Sequence, residues 1–235
     1  MTSFPVHTME SAPERSKPAL HQLQSAFGMI PNIAGAMATS PVLINSLVGL
    51  FGNVHGGSFT EAQIQIVLLT DAVVNASAWP VAFHSALALK EGIDPADVQA
   101  IREGHLPKDA KLAALSGLAR AMIEKRGRLD DRDVEHFMAA GFGKDHALEV
   151  VAIVAASTIT NYTGSITKTP LEAPFQAHAW AGRQKGAADC CAERGDTFNR
   201  GTRKARRLFA KAAIPGCGWR TSGMRYAFLV LGYHA

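Results

Sequence analysis

The chain has 235 residues, 47% of them hydrophobic, enough to bury a substantial core as one domain or as one domain with an extension. Its formal charge of +4 is unevenly held: residues 1–184 carry 14 Lys+Arg against 17 Asp+Glu, whereas 185–235 carry 10 against 3, so the basic character is confined to the tail and no nucleic-acid partner is expected for the rest. Residues 1–17 lack a charged start followed by an apolar run, and the apolar segments are too interrupted to span a bilayer, so no membrane association and a cytoplasmic location are expected.

Helix signals then follow one another. Pro18 in a first turn and Gly28 as a stop bracket a helix over 16–27. Ser40-Pro41 caps a second over 42–54, which Gly56-Gly57 ends. Thr60-Glu-Ala-Gln63 is a capping box opening a third to about Val74, so apolar on all sides that it belongs at the centre of the core. Pro80 to Glu91 reads as a fourth. Asp94-Pro95 starts a short one to about Glu103, and Asp109 to Arg126 is amphipathic. Asp130 or Asp131 caps the next, through Ala140. Lys144 to Thr160 is rich in β-branched residues, but its length favours a buried helix over a strand. With no alternating strand series, the predicted class is all-α. Gln65 and its apolar run to Asn75 echo Glu149 and its run to Asn161, as two copies of one helical unit would. Glu149 is an unusual residue for such a helix; it belongs either at a surface near the cap or between helices with a partner.

The segment Asn75-Ala-Ser-Ala-Trp-Pro-Val-Ala-Phe-His84 has the frame of Asn-x-Cys-x-x-Cys-x-x-x-His, a redox motif that a glutamate precedes by twelve residues. On that frame, residues 20–182 resemble the alkylhydroperoxidase D and carboxymuconolactone decarboxylase superfamily, with further likeness at Gly28-Met-Ile-Pro-Asn32 and Pro174-Phe-Gln-Ala-His-Ala-Trp180. The resemblance implies an AhpD-like multi-helical bundle over 1–184, built from a duplicated helical unit. It also implies peroxide reduction by a thiol pair, or, in the decarboxylase branch, chemistry without one.

The motif has lost its working parts. Ser77 and Pro80 stand at the cysteine positions and Gln65 at the glutamate position; only Asn75 and His84 match. A serine hydroxyl is a weak nucleophile that does not cycle through a disulfide, proline offers none, and an amide is no general base. By position, His84, Ser77 and Gln65 are the candidate catalytic residues, with His84 a base or hydrogen-bond partner. Asn75, Trp79 as a cavity wall, and His55 beside Gly56-Gly57 are the candidate ligand contacts. No histidine or cysteine spacing suits a metal, and no phosphate loop or flavin fingerprint appears, so neither metal nor cofactor is expected.

Residues 185–235 read as a basic, poorly patterned extension holding Cys190, Cys191 and Cys217, with one basic helix signal over 202–213. Three functions compete: a cysteine-less small-molecule binder in which His84 transfers protons without redox chemistry, a non-catalytic helical oligomer, and an antioxidant hydroperoxide reductase as in the family. The apolar helices from Thr60 and Lys144 exceed what one small domain covers, so a homo-oligomer is expected.

Overall fold

A computed structural model describes residues 3–182, which are helical with no strand among them. The expected basic extension and its cysteines lie outside the described residues. Nine α-helices are described: α1 Lys17–Phe27, α2 Asn32–Met37, α3 Pro41–His55, α4 Glu61–Val74, α5 Ala78–Lys90, α6 Pro95–Arg102, α7 Ala110–Glu124, α8 Asp131–Ala139 and α9 Lys144–Thr167.

The punctuation explains most boundaries. Gly28 closes α1 at φ 73°, a left-handed conformation that costs glycine little. Ser40 accepts from Leu43 N at the start of α3, and Thr60 with Gln63 forms the capping box of α4. Asp94, Asp109 and Asp130 cap α6, α7 and α8 in the same way.

Helix α4 is the axle of the bundle. Every residue from Ile64 to Val73 is buried, and α5, α6, α7 and α9 all pack against it. Its polar residues must therefore find partners inside the protein. Thr70 does, donating to Ile66 O one turn earlier and meeting the Ser116 hydroxyl of α7 at 2.8 Å. Around this axle one apolar cluster joins α4, α6, α7 and α9, and a second joins α1, α2 and α3 to Trp79 and Phe83 of α5.

Three differences from the sequence expectations have physical causes. The six-residue helix α2 carries no side-chain cap and is too short to show a period. Helix α5 begins at Ala78 rather than Pro80; proline is tolerated there because the first four N–H groups of a helix have no intrahelical partner. Helix α9 runs seven residues past Thr160, through a Ser/Thr-rich stretch whose apolar signal fades. There Thr158, Thr160 and Thr167 turn their hydroxyls back onto carbonyls of the preceding turn, so the polar residues are accommodated within the helix.

After α9 the chain forms a short 3-10 turn, Ala173–His178, packed on α5. Arg102 holds it there: its guanidinium donates to Ser85 Oγ (2.8 Å) and to the carbonyls of His178 and Ala179 (both 3.0 Å), while Trp180 Nε1 donates to Arg102 O at 3.2 Å. The residues from which this segment resembles the superfamily are thus fixed over the helix that carries His84.

Candidate functional site

A cavity of about 420 Å³ opens between the two apolar clusters. Its walls are mostly apolar and aromatic; the ionisable groups among them are His55, Glu61, His84, Lys90 and Glu91, and the neutral polar ones are Gln22, Gln65 and Thr160. A mostly apolar concavity with a few polar side chains converging on it is the usual form of a small-molecule site.

His84 sits one turn past Pro80 with 4% of its surface exposed, and Gln65 faces it from α4, equally buried. His84 Nδ1 lies 2.9 Å from Gln65 Oε1. An amide oxygen only accepts, so Nδ1 carries the proton and Nε2 the free lone pair. Burial, with the nearby His55 adding to it, pushes the His84 pKa down to about 3. The imidazole is therefore neutral through the physiological range, and Gln65 supplies no charge to change that. A carboxylate at 65 would favour imidazolium; the amide fixes a neutral ring in one orientation.

Trp79 lines the same cavity. Its indole N–H donates to Glu172 Oε2 at 2.9 Å, and the other oxygen of Glu172 accepts from Asn32 N at the start of α2. A buried carboxylate at a helix N-terminus needs no cationic partner to be held. The indole stacks on Phe83 at 4.9 Å between centroids, and Phe83 meets Phe27, Phe175 and His84 edge-on. Of this aromatic cluster, Phe27, Trp79, Phe83 and His84 line the cavity.

The other sequence-nominated residues are placed differently. Ser77 is buried, and its hydroxyl donates to Asn161 O on α9 at 3.1 Å, neither capping α5 nor reaching His84; it is not a lining residue. Asn75 is the C-cap of α4 and turns its amide back onto Asp71 O at 2.9 Å, away from the lining. His55 does line the cavity, as the last residue of α3, stacked on Phe51 with its Nδ1 2.8 Å from Glu61 Oε1.

Glu149, expected at a surface near the cap or between helices with a partner, has a partner, and Asp71 is a buried carboxylate the sequence pattern did not show. Glu149 of α9 accepts from both the backbone N–H (2.8 Å) and the hydroxyl (2.7 Å) of Ser58, pinning the loop between α3 and α4. A Cβ on the adjacent Gly57 would lie 2.7 Å from Glu149 Oε2, so a side chain there would make the carboxylate shift. Asp71, on α4, is fully buried with neither oxygen in hydrogen-bond contact; burial raises its pKa well above the ordinary value, and the nearby Ser157 hydroxyl opposes that only in part.

This arrangement of helices is the AhpD-like fold. The structure is similar to the alkylhydroperoxidase AhpD core of an uncharacterized peroxidase-related protein from Ralstonia eutropha JMP134, with a TM-score of 0.66 at 16% identity over 73% of this chain and 93% of that one. It is similar to an uncharacterized peroxidase-related protein from Silicibacter sp. TM1040, with a TM-score of 0.64 at 16% identity over 78% and 95%. A third is the debrominase Bmp8, in a Cys-to-Ala variant bound to 2,3,4-tribromopyrrole: TM-score 0.65, 18% identity, 76% and 96% covered. No protein-family model and no curated protein matches the sequence. At these identities the likeness establishes the fold, and function has to be argued from the side chains.

Proposed function

We propose that the protein binds a small, largely aromatic molecule in the cavity beside His84, by a route that needs no redox thiol. The observation that carries this reading is the convergence of a neutral His84, oriented by Gln65, and the Trp79 and Phe83 rings on one cavity of about 420 Å³. Because His84 takes up a proton only near pH 3, its contribution is a fixed hydrogen-bond acceptor at Nε2 rather than a base that charges. A ligand O–H or N–H directed at that nitrogen would be held against the aromatic wall.

The ligand bound by the debrominase supplies a probe, since it joins an aromatic ring to an N–H. Titration with 2,3,4-tribromopyrrole, followed by the indole N–H signals of the tryptophans and the ring signals of the histidines, should give a saturable shift at Trp79 and His84. His84→Ala should weaken that binding about tenfold, the worth of one hydrogen bond to a buried partner. Resonances of Trp79 and His84 that stay still at saturating probe would overturn the reading.

A homo-oligomer is supported by a separate feature. Leu148, Val151, Tyr162 and Ile166 recur along α9 with 73, 49, 59 and 65% of their surface exposed, an apolar stripe on a helix whose other face is committed to the core. Among the described residues α9 is also long and apolar enough to cross a membrane, with 39% of its most apolar window buried. We take self-association as the use of the stripe, and expect sedimentation at micromolar concentration to show an assembly that Val151→Glu dissociates. A sedimenting monomer in the unaltered protein would remove this claim.

A further inference from the structure

We propose that the His55–Glu61 pair is the proton-accepting element of the cavity, and that the site takes an aromatic weak acid, a phenol or an N–H heteroaromatic, whose proton passes to His55. This rests on the cavity being a ligand site: the un-ionised ligand donates to His84 Nε2, and on ionisation that proton passes to His55 instead. It adds which group there changes charge and what the ligand must offer.

The polar lining leaves few groups able to accept a proton. Lys90 is an ammonium with no lone pair to offer. Glu91 and Glu61 are carboxylates, weaker bases than an imidazole. His84 is enclosed and has its Nδ1–H engaged by Gln65, so a positive charge there would be stranded in an apolar wall. His55 differs in every respect. Its side chain is 37% exposed, so water reaches it, and Glu61 at 47% stands against its Nδ1 at 2.8 Å. The carboxylate oxygen accepts the Nδ1 proton, which leaves Nε2 as the basic nitrogen, and an imidazolium formed by protonation at Nε2 would be paired at once.

The backbone favours the same charges. His55 is the last residue of α3, where the helix dipole stabilises a cation, and Glu61 is the first of α4, where it stabilises an anion. The loop between them is held rather than left to find its own path. Glu149 reaches from α9 to bond Ser58 twice. Phe51 stacks on the His55 ring at 5.6 Å and fixes its plane. Three helices therefore contribute to placing one histidine beside one carboxylate at a cavity with aromatic walls.

The step itself is a proton transfer. The ligand O–H or N–H bond breaks, its electron pair stays on the ligand as the anion, and the proton joins His55 Nε2. The imidazolium then lies between Glu61 and the ligand anion, with Lys90 adding positive and Glu91 negative charge among the cavity groups. No electron changes hands and no co-reactant is consumed.

The test uses 4-nitrophenol, an aromatic weak acid whose anion is yellow, with the full-length protein. Equilibrium dialysis measures binding, and absorbance of the bound fraction across pH measures ionisation. Bound to the wild-type protein, the probe should ionise about one pH unit lower than in water, the shift an opposite charge within a few ångströms produces. His55→Gln should move the ionisation of the bound probe to or above the free value and with it weaken binding of the anion about tenfold relative to the neutral probe. Glu61→Gln should reduce the shift. A pairing of His55 with Glu61 that only joins α3 to α4 would lower stability in both variants without altering ionisation of the bound probe. Bound probe that ionises identically in wild type and His55→Gln overturns the proposal while leaving the cavity reading intact. Failure of the probe to bind at all would count against both.

Discussion

Thiol-dependent turnover of an organic hydroperoxide should be absent from the wild-type protein and appear in the triple variant Ser77→Cys, Pro80→Cys, Gln65→Glu. The reaction needs a thiolate to attack the peroxide oxygen, releasing the alcohol and leaving a sulfenic acid, and a second thiol to expel water and close a disulfide that a dithiol then reduces. Residues 1–184 hold no cysteine. The frame for a pair nonetheless remains. A Cβ built at Gly164 of α9 would lie 3.5 Å from Ser77 Oγ and 3.7 Å from Pro80 Cδ, so positions 77 and 80 converge on one spot at the start of α5. Thiols there would share a helix N-terminus, which lowers thiol pKa values, and a glutamate at 65 would face His84. The expected contrast is background turnover against a rate at least about a hundredfold above it, the scale of one installed catalytic group. A further form lacking Cys190, Cys191 and Cys217 controls for the tail. Robust wild-type turnover that survives in it would defeat the argument from missing thiols.

How far the sequence reached depended on whether a residue acts through its own helix or across helices. The caps at Ser40, Thr60 and Asp94 are local: a side chain bonds a backbone N–H two or three residues on, so spacing alone reveals them. The pairing of His84 with Gln65 was approachable because the resemblance fixed both positions. Ser77 was not, since its hydroxyl is claimed by a carbonyl 84 residues away on α9. Glu149 could be seen as anomalous on an apolar helix, but its partner Ser58 lies 91 residues off, and no periodicity records that distance.

Glu61 shows a different limit. As the first residue after Thr60 it is a routine helix-start acid, stabilising by its charge alone. Its meeting with His55 follows from the short connection through Gly56-Gly57-Ser58, which sets the end of one helix beside the start of the next. A histidine closing one helix and a glutamate opening the next across a glycine turn is the only trace of it in the sequence. Asp71 was likewise hidden in the apolar run of α4, where the period that marks a buried helix gives no indication of what a buried carboxylate costs.

That cost sets the last expectation, because the two most deeply buried titratable groups among the described residues make stability depend on pH in opposite directions. His84 has its pKa lowered from 6.5 to about 3, so its contribution to stability is present above pH 6.5 and is lost as pH falls toward 3, where the unfolded chain binds a proton that the native site refuses. Over that window the loss approaches roughly 4 kcal/mol at about 1.4 kcal/mol per unit. Asp71 has its pKa raised above 3.8, so its contribution is present below pH 3.8 and is lost as pH rises through the raised value, where the unfolded chain releases a proton the native site retains. The thermal midpoint of the wild-type protein should therefore fall on both sides of an intermediate pH. Asp71→Asn keeps the shape while removing the ionisation, and should raise the midpoint at pH 8 by several degrees, corresponding to on the order of 2 kcal/mol, and flatten the alkaline limb. His84→Gln should leave the alkaline limb and flatten the acid one. Midpoints measured from pH 3 to pH 9 for the three proteins decide it. Curves that run parallel would mean that neither group is held in the protonation state its burial imposes.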